Sequence, residues 1–209
     1  MEEAHAKAGL NVPRETLERL DEFIAILKSE NRRQNLVSAS SLEHVWGRHI
    51  ADSAQLITFA PEAKTWLDLG TGAGFPGLIV ALLTSADVTL VESRKLRVDF
   101  LQRASDLLGI SSRTTIICKR IEAVPSSHFD VISARAFAPL PRLLALAERF
   151  AALDTRWILP KGRNAKSELE AAESLWQGNF RLEPSLTDPE ARIIVAERVR
   201  RKQGEKNRQ

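Results

Sequence analysis

The chain has 209 residues, 44% of them hydrophobic and 27% charged, enough for one α/β core with a small appendage. A single cysteine, Cys118, excludes disulfides within the chain and Cys-rich metal sites, and no apolar stretch has the length of a membrane span or a secretory signal, so a cytoplasmic protein away from the membrane is expected. The formal charge of +3 is uneven: Arg198, Arg200, Arg201, Lys202, Lys206 and Arg208 against Glu205 leave the last twelve residues at +5 and the rest at −2, which marks 201–209 as a basic, flexible tail.

Leu17, Leu20, Ile24 and Leu27 recur at helical spacing behind Asn11 and Pro13, predicting an amphipathic helix over 12–29 that the polar run Glu30 to Gln34 ends. Ser40-x-x-Glu43 is a capping-box pattern and opens a second helix with the stripe Leu42, Val45, Trp46, His49, Ile50, Ser53 and Leu56. Together they form a helical extension over 1–60. From Thr65 short β-branched runs alternate with helices, placing strands near 65–69, 87–92, 114–118, 129–133, 155–159 and 191–198. Helices are expected after Ser93, closed by Gly109, then from Pro139 to Ala152 and around Ser167 to Trp176. Phe180-Arg181-Leu182 and the last run, joined by Thr187-Asp188-Pro189-Glu190, read as a terminal β-hairpin. The alternation specifies a doubly wound α/β domain over 61–200.

Within it, Trp66-Leu67-Asp68-Leu69 runs into Gly70-Thr71-Gly72-Ala73-Gly74-Phe75-Pro76-Gly77 and out into a helix. Glycines admit positive φ and bring bare backbone close to a ligand, and the helix start offers unpaired N–H groups, so the loop is built for a nucleotide-like ligand. Gly72-x-Gly74-x-x-Gly77 also fits a dinucleotide fingerprint, which leaves an NAD-dependent oxidoreductase open at this point. Val88-Thr89-Leu90-Val91-Glu92 ends in a carboxylate about 20 residues on, where either kind of site catches ribose hydroxyls. Asp68 is expected to order the loop. Cys118 reads as a buried small hydrophobe, and Trp46, Trp66, Trp157 and Trp176 as core residues. His44 and His49 do not share a helix face, so no metal pair is expected.

The end of the chain separates the two cofactor readings. Methyltransferases that use S-adenosyl-L-methionine typically close their sheet with an antiparallel final strand, whereas a dehydrogenase needs further residues for a substrate domain. Several ordered motifs then agree. Asp68-Leu69-Gly70-Thr71-Gly72-Ala73-Gly74-Phe75-Pro76-Gly77, Glu92-Ser93-Arg94-Lys95-Leu96-Arg97 with Phe100-Leu101, and Phe129-Asp130-Val131-Ile132-Ser133-Ala134-Arg135-Ala136 resemble the 16S ribosomal RNA guanine-N7 methyltransferase family, RsmG, long called glucose-inhibited division protein B. So do Asn35-Leu36-Val37-Ser38, Arg48-His49-Ile50-x-Asp52-Ser53 and Lys161-Gly162, and the resemblance covers about residues 30 to 163.

The resemblance implies a class I, Rossmann-like S-adenosyl-L-methionine-dependent fold. The implied activity is methylation of guanine N7 in 16S ribosomal RNA, free or in a small-subunit particle, with no obligate protein partner inferred. Residue by residue, it makes Gly70 and Phe75 contacts to the cofactor's amino-acid end and sulfonium region, with Gly72 and Gly74 in the same loop, and Glu92 the ribose ligand. Ile121 and Glu122 stand beside the adenine, where the family usually shows Ala-Glu, and Arg135 ends the fourth strand facing the reaction centre. Asn35, Arg48, His49 and Arg135 are expected on the acceptor side in positioning roles, with His49 equally suited to docking the extension on the sheet.

The residues speak to the chemistry as well. Methylating an exocyclic amine calls for an Asn or Asp followed by prolines and an aromatic after the fourth strand, and carbon methylation calls for a cysteine nucleophile; this chain has Ser133-Ala134-Arg135-Ala136 and only Cys118. A guanine N7 lone pair needs no proton removed, only alignment and exclusion of water. RNA is expected to be held through phosphates by Arg32, Arg33, Arg48, Arg120, Arg163 and the tail. The rival readings are a non-catalytic RNA-binding ribosome-assembly factor, disfavoured by the intact Gly70, Gly72, Gly74 and Glu92, and the oxidoreductase, which would prefer NAD to S-adenosylhomocysteine in a thermal-shift comparison.

Overall fold

The computed structural model describes residues 9–202. Helix α1 spans Arg14–Gln34, five residues beyond the expected end, because Glu30 pairs with Arg33 and with Arg103 and so belongs to a buried face instead of ending the helix. Its C-cap, Asn35, takes the left-handed conformation at φ 46. The next helix, α2 (Ala39–Glu43), is capped by Ser38, whose hydroxyl accepts from the Ser41 N–H at 3.2 Å; the cap therefore falls two residues before the expected Ser40. The regular helix expected to continue from it does not. Trp46–Ala51 widen into a π-helical turn in which the Asp52 N–H reaches back to Gly47, and after a short α-turn, Asp52–Ala54, the chain tightens into a 3₁₀ segment at Gln55–Phe59. The expected stripe still faces inward, with Val45, Trp46, His49, Ile50, Ser53 and Leu56 buried, and the tightened end adds Gln55.

The sheet consists of β1 (Thr65–Leu69), β2 (Asp87–Glu92), β3 (Thr114–Cys118), β4 (Phe129–Ser133), β5 (Ala151–Lys161), β6 (Trp176–Pro184) and β7 (Arg192–Arg201) in the order β3-β2-β1-β4-β5-β7-β6. The first five run parallel to one another and β7 runs antiparallel to both β5 and β6. Helices α3 (Gly77–Leu83), α4 (Lys95–Leu107), α5 (Leu140–Ala147) and α6 (Ala165–Glu173) connect them. Chain order reverses between β1 and β4, and ligands of open α/β sheets gather at the carboxyl ends of strands flanking such a reversal. Asp130 fixes that junction from below, its carboxylate accepting the Lys64 and Thr65 N–H groups at 2.7 and 2.9 Å.

Several boundaries differ from expectation. Helix α5 stops at Ala147 because Glu148–Phe150 form a 3₁₀ turn and Ala151 already belongs to β5. Trp176 starts β6 instead of closing α6, though it is buried as expected. Strand β7 runs to Arg201, whose guanidinium lies over the Trp176 ring and beside Glu148, and the Lys202 N–H donates to Leu175. The first residues expected in a flexible tail are thus tied down; 203–209 lie outside the described residues. Cys118 is exposed, not buried, because it ends the edge strand β3.

Two apolar clusters flank the sheet. The helices before β1 share one of them: Leu20, Phe23, Leu27, Trp46, Ile50 and Leu56 pack with Phe75, Leu78 and Phe100 into a continuous core. Burying each such side chain is worth about 1.5–3 kcal/mol, so the extension is held by apolar contact before any polar bond is considered.

Candidate active site

The first cavity is bounded at one end by Gly70, where the glycine loop begins; Gly72 and Gly74 do not line it. Beyond β1, Gly70, Gly72 and Gly74 adopt φ of 67, 59 and 94. At Gly74 a Cβ would stand 2.3 Å from Leu78 Cδ1, and at Gly70 one would meet the Phe137 ring at 2.4 Å, so both positions need glycine for space as well as conformation. At Gly72 a Cβ has ordinary contacts at 3.8 and 3.9 Å, and only the backbone conformation restricts it. Asp68 is wholly buried beneath the loop: Oδ2 accepts the Gly77 N–H at 3.0 Å and Oδ1 the Ser133 hydroxyl at 2.9 Å, while Ser133 accepts from the Trp66 indole at 2.8 Å. Burial pushes the Asp68 carboxyl above its ordinary range, and those hydrogen bonds pull it back.

Glu92, at the end of β2, is 6% exposed. Its Oε1 accepts the Arg94 N–H at 2.9 Å, and Oε2 lies 3.4 Å from Arg97 Nη1. This carboxylate, Gly70, Arg97, Ile121, Glu122 and Phe137 line a cavity of about 350 Å³. Arg149 reaches over from the turn before β5 and donates to the Ile121 carbonyl and, at 2.8 Å, to that of Val124, which fixes the loop on the far side of the cavity.

The second cavity, about 590 Å³, is made by side chains from distant parts of the chain. Arg135 leaves the end of β4 and crosses to the cap: Nη2 lies 2.9 Å from His49 Nδ1, while Nη1 lies 3.2 Å from the Arg48 carbonyl and 3.3 Å from Asp52 Oδ2. A guanidinium only donates, so His49 Nδ1 accepts, the ring is neutral, and its Nε2–H donates to Ser41 Oγ at 3.0 Å. Burial, reinforced by Arg135 and Arg48, holds the His49 pKa down at about 3. The imidazole stacks on Phe75 with ring centroids 4.8 Å apart, and the Arg135 guanidinium stands 5.2 Å from the same ring. Burial lowers the Arg135 pKa and Asp52 opposes that shift. Asp52 Oδ1 also accepts from Gln55 at 2.9 Å and from Thr187 at 2.7 Å, and Arg48 pairs with Asp188 at 2.6 Å, so the β6–β7 connection closes the cavity's outer side.

The structure therefore brings Arg48, His49 and Arg135 together and places Gly70, Glu92, Ile121 and Glu122 around the first cavity. Asn35 lines neither cavity; it is an exposed helix cap. The Phe75 side chain is 2% exposed beneath His49, which leaves its backbone, not its ring, for a ligand in the glycine loop. Sequence reasoning missed Phe137. With Ala136 at φ 51 and Ala138, it forms a wall common to both cavities, and the motif that ends at Ala136 stopped one residue short of it. Lys161, quoted there without a role, donates to the Ala138 carbonyl at 2.9 Å and to Glu168 at 2.8 Å, bracing that wall.

Solved structures with this fold include methyltransferases. An O-methyltransferase from Bacillus cereus in complex with SAH aligns over 93% of this chain and 96% of its own at TM-score 0.63 and 16% identity, and the ribosomal protein L11 methylase from Lactobacillus delbrueckii subsp. bulgaricus over 73% and 78% at TM-score 0.57 and 19% identity. The fold is thus the class I, Rossmann-like methyltransferase fold. A family model described as rRNA small subunit methyltransferase G, GidB, matches residues 16–187. Proteins named ribosomal RNA small subunit methyltransferase G are 52% identical in Rhizorhabdus wittichii, over 100% of this chain and 99% of the relative, and 48% identical in Zymomonas mobilis subsp. mobilis, over 91% and 89%. The chain belongs to the rRNA small subunit methyltransferase G family.

Proposed function

We propose that this protein transfers the methyl group of S-adenosyl-L-methionine to N7 of a guanine in 16S ribosomal RNA. The observation that carries the reading is the pair of cavities that share the wall Ala136–Ala138: one lined by Gly70 and the buried Glu92, the other by Arg48, His49 and Arg135. When bound, the cofactor supplies an electrophilic methyl group. Gly70, Gly72 and Gly74 admit its amino-acid end against bare backbone, Glu92 accepts from the ribose hydroxyls, and the Ile121–Glu122 backbone meets the adenine.

Each carboxylate lining the acceptor cavity is already engaged: Asp52 with Arg135, Glu168 with Lys161 and the Leu140 N–H, and Asp188 with Arg48. His49 has both ring nitrogens bonded. A site whose bases are all occupied suits an acceptor that needs no deprotonation, which favours N7 over an exocyclic amine. Arg135, His49 and Arg48 position the acceptor wall and do not move protons. We place the helical extension at 1–60, the catalytic domain at 61–200 and the basic segment at 201–209, in a cytoplasmic protein that meets 16S RNA free or within a small-subunit particle. Incubation with S-adenosyl-L-methionine and small-subunit RNA or particles, followed by nucleoside mapping, should yield 7-methylguanosine; a different methylated nucleoside, or none, would reject the assignment.

A further inference from the structure

One apolar side chain stands apart from the rest of the surface. Leu186, in the connection between β6 and β7, is 82% exposed, the most exposed of the large hydrophobic residues in the described chain. Its two neighbours, Ser185 and Thr187, line the acceptor cavity, so Leu186 sits on that cavity's rim. A leucine on a mobile loop would fold back onto apolar surface. This one is held out.

The means is Gln55, buried at the tightened end of the cap. Its Oε1 accepts the Leu186 N–H at 2.8 Å, and its Nε2 donates to Ser185 Oγ at 3.2 Å. Thr187 is bonded to Asp52 on one side and to Ser185, 3.0 Å away, on the other. The backbone under Leu186 is thereby fixed to the same carboxylate that fixes Arg135, and its position relative to the acceptor cavity is set by the site itself.

Resting on the reading of the protein as a guanine-N7 methyltransferase, we propose that Leu186 is a wedge: it enters the base step vacated by the target guanine and keeps the nucleotide in the acceptor cavity. In A-form RNA the N7 edge lies in a deep, narrow groove that side chains do not reach, and enzymes acting on a stacked base take it out of the stack. Apolar side chains inserted between base steps are a recurrent way to stabilise such unstacking. The surrounding charge suits RNA. Arg48 and Arg163, both more than half exposed near the tip, pair with Asp188 and Glu190 of the same connection and can exchange those carboxylates for phosphates.

The test compares Leu186→Ser and Leu186→Met with the wild type on magnesium-folded small-subunit RNA under single-turnover conditions, with RNA affinity, S-adenosylhomocysteine affinity and melting temperature measured on each. A wedge acts after docking. Leu186→Ser should slow methyl transfer by about 10-fold or more while all three other quantities stay within about 2-fold or a few degrees, and Leu186→Met should restore most of the rate. An unchanged rate in Leu186→Ser, an equal loss in Leu186→Met, or a loss accounted for by weaker RNA binding would overturn the wedge. So would a defect seen on assembled particles but not on protein-free RNA, which would make Leu186 a protein contact. Absence of transfer by the wild type would instead count against the proposed function.

Discussion

The two cavities are built by opposite means. The first centres on a local stretch, Gly70 at the end of β1 and Glu92 at the end of the next strand, and is completed by Ile121, Glu122 and Phe137. The second comes from side chains that meet across the fold: Arg135 is bonded to Asp52 and His49, 83 and 86 residues away, and Asp52 to Thr187, 135 residues away. A site centred on a local stretch is set by conformational permission there and persists through changes elsewhere. A side-chain site exists only when the cap, the sheet and the terminal hairpin have all docked. Binding the cofactor and presenting the acceptor are thus separable in this molecule, and variants should divide along that line.

The largest effect is expected at the Arg135–Asp52 pair, where both side chains are about four-fifths buried. Arg135→Ala should reduce methyl transfer by about 100-fold, the scale of a displaced site. It should also destabilise the protein by about 3 kcal/mol, since it leaves the largely buried Asp52 carboxylate without its cation, leaving S-adenosylhomocysteine affinity nearly unchanged. Adding Asp52→Ala should recover about 1–2 kcal/mol of that stability in a double-mutant cycle by urea denaturation. Additive losses would show the pair to be uncoupled.

On the other side of the wall, Glu92→Ala should weaken cofactor binding by about 1–3 kcal/mol, the range for hydrogen bonds to a charged group, with RNA affinity preserved. Titration calorimetry separates the two, and an unaltered cofactor affinity would turn Glu92 into a cap for the Arg94 N–H and nothing more.

His49 gives the side-chain cavity an acid limit. Its folded pKa of about 3 lies below the ordinary 6.5 it regains on unfolding. Between those values the unfolded chain binds a proton that the folded one does not, so this contribution to stability is present above pH 6.5 and is lost as pH falls toward 3. Its slope approaches about 1.4 kcal/mol per pH unit. His49→Gln should flatten the dependence in denaturation curves taken across that window; parallel curves for both proteins would show the ring to be protonated in the fold.

The smallest effect concerns the end of the chain. Because Arg201 and Lys202 are engaged with Trp176 and Leu175, truncation belongs after Lys202. Removing 203–209 should leave melting and cofactor affinity intact and reduce the salt slope of RNA binding by about 1–2, as fewer counterions are released. An identical slope would assign the whole RNA contact to the folded domain.

The centre of the first cavity was legible because its information is local: the strand, the glycines and Glu92 follow one another at short spacing. The parallel part of the sheet was legible for the same reason, its strands announcing themselves by short apolar and β-branched runs, whereas β6, Trp176–Pro184, holds no β-branched residue. Arg48, His49 and Arg135 were found through ordered motifs, but their partners were not. Nothing near Gln55 or Thr187 in sequence says that they bond to each other, and Phe137 reads as an ordinary apolar residue until the turn at Ala136 brings it over Gly70. Phe75 and Cys118 show the converse. Their surroundings are set by the cap and by strand order, so one side chain expected at a ligand is buried and one expected in the core is exposed.

The wide turn at Trp46–Ala51 makes the length of the cap as constrained as its composition. An α-helix advances about 100° per residue. Excising a single residue such as Ala51 would leave every hydrophobic residue of the stripe in the sequence, and an ordinary helix would form readily. That helix would carry Asp52 and Gln55 around by roughly a quarter-turn relative to His49, so no one register would serve both Arg135 and the hairpin. Relatives with the same site should therefore exchange exposed residues here freely while admitting neither insertion nor deletion between Trp46 and Gln55.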